Sequence, residues 1–184
     1  MCNIMPKPKP CSIKSCLRPL ITSGVHTGII MTLGDFFAQT YWEKKDWDQI
    51  DLKRSLKFGA IGFVYGGPVI AFWNSMVRSA VPRRAPFFEK VIYRVVTTQV
   101  YLAPALNYGI LGLSGAVKNE TISKESFEKG LNYFVEVMEK NYMVWPITHA
   151  LTTIIFPSTN YVKFVVLSAI SIFWASYLST TLMQ

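Results

Sequence analysis

The sequence predicts an all-α membrane protein: a multi-span bundle of about four transmembrane helices, with one amphipathic helix at the membrane surface. The first observation is composition, because charged residues make up only 16% of the chain and apolar residues 51%. Soluble domains average about 25% charged residues. The second observation is that the few charges are grouped, which leaves long uncharged windows between them.

Four uncharged windows have the length of a membrane span. They hold 20 residues between Lys57 and Arg78, 23 between Arg94 and Lys118, 22 between Lys140 and Lys163, and 21 from Phe164 to Gln184. A helix needs roughly 20 mainly apolar residues to cross the hydrocarbon core. Four such windows in 184 residues leave too little polar sequence to cover a water-facing protein.

The segments between the windows alternate in charge. The N-terminal tail has four basic residues before the first acid, Asp35, and the segment 78–94 carries a net charge of +4. The segments 43–57 and 118–140 carry +1 and −1. Such alternation follows the positive-inside rule and puts both strongly basic segments on one side of the membrane. A nucleic-acid-binding patch would not explain the apolar windows, so no direct nucleic-acid partner is expected.

The elements are predicted in order along the chain. Residues 1–19 form a basic Pro/Lys-rich tail in which alternating prolines oppose a helix, and residues 20–184 form one transmembrane domain. Spans are predicted over 20–40, 58–77, 95–117 and 161–183. Segment 118–140 is predicted to be the amphipathic surface helix, entered through a Thr or Ser cap. Window 141–160 holds Pro146 and Pro157 and is either a full span or a half-helix; we expect it to pack inside the bundle.

Small residues recur at the spacing that allows helices to pack closely. Gly24 and Gly28 form one GxxxG pair, and Gly62 and Gly66 form a second. In lipid, close backbone approach is a main source of helix association. We expect these glycines to pack helices within the monomer, and contact between copies in a homo-oligomer is the alternative.

Asp35 is the principal candidate for function, because a carboxylate within an apolar span is costly and faces the bundle interior or water. Gln39 lies on the same helix face, four residues on. The candidate partners of Asp35 are Arg54, Arg94 and Lys163. Asp35 could line a solute path with its polar neighbours, or it could form a buried ion pair that only fixes packing.

Further polar and helix-bending residues lie within the spans. Gln99 indicates a polar interior face or an interhelical hydrogen bond. Pro68, Pro104 and Pro146 each remove a helix hydrogen bond. His149 has no acid or nucleophile near it in sequence and is interpreted as a core residue.

No pattern in the sequence indicates catalysis or a cofactor. The three cysteines lie in the tail without CxxC spacing, so no metal site is expected. Phosphate loops and nucleophile elbows are also missing from the sequence. The protein is therefore predicted not to be an enzyme, and its expected partner is the lipid bilayer.

An ordered series of motifs resembles the Mpv-seventeen family, also called the family of the twenty-two-kilodalton peroxisomal membrane protein. The matching positions, spread over about residues 20–179, are Asp35, Gln39, Arg54, Pro68, Trp73, Gln99, Pro104, Trp145, Pro146, Pro157 and Trp174. The chain departs from the family at Thr98, where an acid is usual, and at His149, where Gln is usual. It also departs at Thr152-Thr153, where Asn-Phe is usual, and near Lys163, where Arg is usual.

The resemblance implies a four-span protein of the mitochondrial inner membrane or, alternatively, of the peroxisomal membrane. It implies a non-selective or weakly cation-selective channel, with Asp35, Gln39, Arg54, Gln99 and Lys163 as candidates for its polar interior. The alternative hypothesis is a non-conducting scaffold or assembly factor for mitochondrial machinery that acts through the basic segment 78–94.

Overall fold

The computed structural model describes residues 13–80, 86–118, 123–156 and 161–183. Every regular element in these ranges is helical. The helices are α1 (Ile13–Phe37), α2 (Leu52–Ile61), α3 (Gly67–Ala80), α4 (Phe87–Thr97), α5 (Ala103–Lys118), α6 (Lys124–Leu131), α7 (Phe134–Ile155) and α8 (Tyr161–Met183). Three π-helical turns, at Ala38–Trp42, Gly62–Gly66 and Thr98–Leu102, extend α1, join α2 to α3 and join α4 to α5. A short 3-10 helix covers Trp47–Gln49.

Two of the π turns coincide with the prolines of their spans. Pro68 and Pro104 each follow a π turn closely, and the residues four positions earlier, Val64 and Val100, lie inside those turns. A proline ring clashes with the carbonyl at that position in a regular α-helix. The wider π turn moves this carbonyl away from the proline ring, so both spans continue past their prolines.

Four helical rods have the length and composition of membrane spans: Leu17–Trp42, Leu52–Ala80, Phe87–Lys118 and Tyr161–Leu182. The predicted fold class, an all-α multi-span bundle, is confirmed. The prediction for the last span matches α8. The first span begins earlier than predicted, because α1 already starts at Ile13 and contains Pro19. The rest of the predicted tail, residues 1–12, lies outside the described residues.

The predicted amphipathic surface helix is shorter than expected. Its N-cap is Ser123, whose hydroxyl accepts a hydrogen bond from the Ser126 amide at 3.1 Å. It ends at Leu131, and the residues after Phe134 belong to α7 instead. The break comes at Asn132–Tyr133, a two-residue turn between the two helices.

Helix α7 traverses the bundle, as the orientation of α8 shows. Helix α8 runs parallel to α1: His26 contacts Ser168, whereas Asp35 near the far end of α1 contacts Ser179. After the first three spans, the chain is at the end of the bundle opposite to the start of α8. The chain must therefore return through α7, which pairs antiparallel with the α4–α5 rod.

The expectation that window 141–160 packs inside the bundle is wrong for its described part. Helix α7 buries one stripe, including Val137, Asn141 and Thr152, against its neighbours. Met143, Ile147 and other apolar side chains on its opposite side are more than half exposed. An outer face of this kind suits lipid contact, since lipid needs no polar partner from the protein. Pro157 and Asn160 lie outside the described residues.

The glycine pairs pack the first two spans together, as predicted for contacts within the monomer. Gly24 lies against Phe63, and Gly28 lies against the Gly59 carbonyl. At Gly67 an added Cβ would lie 2.4 Å from the Gly24 Cα atom. The same close approach joins α1 to α8, where Gly34 faces Ala175. These contacts leave no room for larger side chains.

We expect Gly67→Ala to destabilise the bundle by about 1–3 kcal/mol, because overpacking forces two backbones apart. Gly66→Ala is the matched control in the next position, where the nearest atom to an added Cβ is a methyl group of Thr27 at 3.1 Å. Unfolding of both variants in mixed detergent micelles measures the difference. Equal stability of the two variants would contradict the close packing at Gly67.

Candidate functional site

The Asp35 carboxylate is fully buried and joins three helices. Its Oδ2 accepts hydrogen bonds from the Gln39 amide at 2.8 Å and from the Ser55 hydroxyl at 2.6 Å. Its Oδ1 accepts from Arg54 Nε at 2.9 Å and from the Ser179 hydroxyl. The donors come from α2, α8 and the π turn that ends α1. Each carboxylate oxygen therefore has two partners within the protein.

Arg54 and Gln39 extend this network to the loop that links the first two spans. The Arg54 guanidinium binds both oxygens of Glu43, at 2.5 and 3.1 Å. The Gln39 side chain accepts from the Asp51 amide at 2.7 Å and donates to the Asp51 carbonyl at 3.0 Å. We call Asp35, Gln39, Glu43, Arg54, Ser55 and Ser179 the Asp35 cluster.

The geometry of the Asp35 cluster favours the packing interpretation over a place on a solute path. Asp35, Gln39 and Ser179 have no exposed surface. Arg54 balances Asp35, and Lys45 approaches Glu43 to 2.7 Å, so the four charges cancel. A buried carboxylate with this many donors holds its neighbours in fixed positions. Of its predicted partners, only Arg54 contacts it.

Glu43 lies between the first two spans, and the pKa of its carboxyl group is shifted. Burial alone would raise the pKa of its carboxyl, but the hydrogen bonds and positive charges of Arg54 and Lys45 together outweigh it. The pKa of Glu43 is therefore held below its ordinary value.

A cavity of about 710 Å³ lies towards the other end of the bundle. It lies between α1, α3, the α4–α5 rod, α7 and α8. On α8 its lining residues recur at helical spacing, from Lys163 through Leu167 and Ser171 to Ala175. Helices α1, α4 and α8 begin at this end of the bundle, and α3 and α7 end there. We call this space the central cavity.

The central cavity is lined by basic, polar and aromatic side chains. Its cations are Arg78, Lys90, Arg94 and Lys163. No Asp or Glu is among the described residues that line it. Three tryptophans form part of its wall: Trp73, whose indole donates to the Thr98 hydroxyl at 3.2 Å, and the edge-to-face pair Trp145 and Trp174.

Gln99 faces the central cavity and forms an interhelical hydrogen bond. The sequence leaves open whether Gln99 marks a polar interior face or such a bond. Its side-chain oxygen accepts from Asn141 at 2.9 Å, and Asn107 donates to Asn141 at 3.2 Å. These three buried amides join the α4–α5 rod to α7. Gln99 therefore both lines the cavity and fixes its wall.

The predicted polar-interior residues thus divide between two places. Asp35, Gln39 and Arg54 belong to the Asp35 cluster, whereas Gln99 and Lys163 line the central cavity. Among the family-motif positions, Trp73, Trp145 and Trp174 line the cavity as well. Pro68, Pro104 and Pro146 lie within helical rods, and Pro157 is outside the described residues.

Sequence reasoning missed Ser55 and Ser179 as donors to Asp35 and Glu43 as a partner of Arg54. It also missed Asn141 as the donor to Gln99 and Asn107 as the donor to Asn141. Ser179 carried a signal, because the small residues Ser171, Ala175 and Ser179 recur every four positions along α8. Glu43 and Ser55 carried none, since surface acids and serines are common beside spans.

The fold and these two sites define an integral membrane protein with a buried polar cluster and an internal cavity. Protein sym-1 of Neurospora crassa is 32% identical over 162 residues, which cover 88% of this chain and 91% of the relative. The mitochondrial inner membrane protein Mpv17 of Drosophila melanogaster is 26% identical, covering 90% of this chain and 97% of the relative. Peroxisomal membrane protein 2 of Bos taurus is 27% identical, covering 89% and 83%.

The chain belongs to the Mpv17 and peroxisomal membrane protein family, as the ordered motifs indicated. No family model matches the chain, and no solved structure matches it. The relatives place it in an organelle membrane, the mitochondrial inner membrane with the peroxisomal membrane as the alternative, as predicted.

We expect Asp35→Asn to destabilise the bundle by about 3–5 kcal/mol, because Arg54 loses the fully buried one of its two carboxylate partners and keeps only Glu43. Asp48→Asn, at an exposed carboxylate in the loop between the first two spans, is the control and should change stability little. Unfolding in detergent gives both values. Near-equal stability of the two variants would show that the ion pair does not hold the helices.

Acid should remove the stabilisation that Glu43 supplies. A carboxyl whose pKa is lowered by folding stabilises the fold above its ordinary pKa, here 4.5, and loses that effect as the pH falls through the lower folded value. The stability advantage of wild type over Glu43→Gln should therefore hold at neutral pH and decline below about pH 4.5. Thermal unfolding of both proteins between pH 7 and pH 3 checks this, and a constant difference would contradict it.

Proposed function

We propose that the protein is a channel for small solutes in the mitochondrial inner membrane, with the central cavity as part of its path. The supporting observation is that cavity itself: a polar and charged space of about 710 Å³ inside a bundle of membrane-spanning helices. Polar groups inside a membrane bundle line solute paths or form packing contacts. In this chain the packing role falls to the Asp35 cluster.

The path in this proposal excludes Asp35. Its two oxygens are occupied by protein donors, and its side chain has no exposed surface. The residues assigned to the path are instead the cavity residues Gln99 and Lys163, with Arg94 beside them. The proposal involves no catalytic step, and the conducting unit is one chain or a homo-oligomer.

Ser171→Trp should reduce the conductance of the purified protein in planar bilayers severalfold, because the indole would fill part of the central cavity. Val165→Trp is the matched control on the same helix, where the side chain is 44% exposed and is not among the described lining residues. Both variants must retain the helical content and the elution volume of wild type.

Three outcomes separate the hypotheses. Discrete conductance that Ser171→Trp lowers and Val165→Trp leaves unchanged supports a path through the cavity. If both variants lower the conductance equally, or if neither variant lowers it, the solute path does not run through the central cavity. If folded and inserted wild-type protein shows no conductance, the channel is rejected and the non-conducting scaffold remains. The test of the scaffold is whether charge reversal of Arg78 and Lys90 abolishes the recovery of protein partners.

A further inference from the structure

We propose that the central cavity binds an organic phosphate, with Arg94 and Lys163 contacting the phosphate group and the tryptophan wall contacting the rest of the ligand. The phosphate belongs either to a water-soluble monoester or to a lipid headgroup. The inference rests on the proposed function only in assigning the ligand to the same cavity.

The first argument is the sign of the charge. Helix α3 supplies Arg78, α4 supplies Lys90 and Arg94, and α8 supplies Lys163, so cations from three helices face one space. The described lining residues include no Asp or Glu. A phosphate monoester carries close to two negative charges at neutral pH and accepts several charge-assisted hydrogen bonds, so it suits a site with several cations.

The second argument is that two cations from different helices line the same cavity. Arg94 belongs to α4 and Lys163 to α8, and His149 of α7 lies in the same lining. Like charges within a protein interior repel each other more strongly than in water. An anion between Arg94 and Lys163 would convert this repulsion into attraction.

The third argument is that both residues are placed to reach a ligand. Arg94 is exposed to solvent and also lines the cavity. Lys163 is half-buried and its ammonium group donates to the Thr153 hydroxyl and the Phe156 carbonyl, both at 3.3 Å. These contacts hold the ammonium group at the cavity wall.

The fourth argument concerns the rest of the ligand. A volume of about 710 Å³ is far larger than a phosphate ion needs and lies in the range of pockets for small organic molecules, roughly 300–1,000 Å³. The ring of Trp145 stacks on His149 with centroids 5.3 Å apart, and Trp174 meets Trp145 edge to face. Such a wall favours an apolar or aromatic body attached to the phosphate.

The experiment measures binding of phenyl phosphate to the full chain in nanodiscs made only of phosphatidylcholine, by isothermal titration calorimetry. Wild type should bind phenyl phosphate more tightly than inorganic phosphate. The double variant Arg94→Gln/Lys163→Gln should bind about tenfold more weakly or worse, since it loses two charge-assisted contacts. Arg94→Lys/Lys163→Arg keeps both charges and should stay close to wild type.

The matched control is Lys124→Gln/Lys129→Gln, which removes two exposed cations from α6 outside the cavity. It should bind like wild type. Equal binding by the control and the Arg94→Gln/Lys163→Gln variant would overturn the proposal. It would also be overturned if wild type bound neither phenyl phosphate nor phosphatidic acid. Poor folding of the glutamine variant would be visible in its elution volume, and Arg94→Gln alone would then replace it.

Phosphatidic acid in the nanodisc distinguishes the two sources of phosphate. Displacement of phenyl phosphate by a few mole per cent of phosphatidic acid supports a lipid headgroup, and retention of phenyl phosphate supports a soluble monoester. Conductance is measured separately. Phosphate binding without conductance retains this inference and rejects the channel, whereas conductance without phosphate binding retains the channel and rejects this inference.

Discussion

The arrangement of the bundle depends on one buried carboxylate. Asp35 has no exposed surface, and it receives donors from α2, from α8 and from the end of its own helix. An ionised group in such surroundings is tolerated only with its partners in place. Satisfying it fixes three helices relative to one another, including the parallel pairing of α1 with α8. That pairing in turn requires α7 to carry the chain back through the bundle.

The two ends of the bundle are therefore chemically different. At one end, Asp35 and Glu43 are balanced by Arg54 and Lys45, and the cluster is closed. At the other end, the central cavity collects cations from three helices with no described acid in its lining. The Asp35 cluster joins three helices at one end, and the central cavity separates the helices towards the other. This division explains how one small chain contains both a costly buried charge and a cavity.

Much of the bundle was predictable from single residues and their spacing. The absence of charge over 20 or more residues located the second, third and last spans, and the i, i+4 relation of Asp35 and Gln39 placed both on one face. The glycine pairs indicated close packing of the first two spans. The π turns before Pro68 and Pro104 were not predictable, because a proline shows where a helix is disturbed but not how the backbone adapts.

The sequence alone determined the class of protein, the approximate positions of four spans, the family and the place of Asp35 within the first span, because each depends on composition or on neighbours along one helix. Only the tertiary structure decided which residues Asp35 meets and which residues share the cavity. Arg54, Arg94 and Lys163 were equivalent candidates in sequence, yet Arg54 joins Asp35 whereas Arg94 and Lys163 face the cavity. Contacts between distant helices depend on their order and direction, and a linear pattern of residues does not contain either.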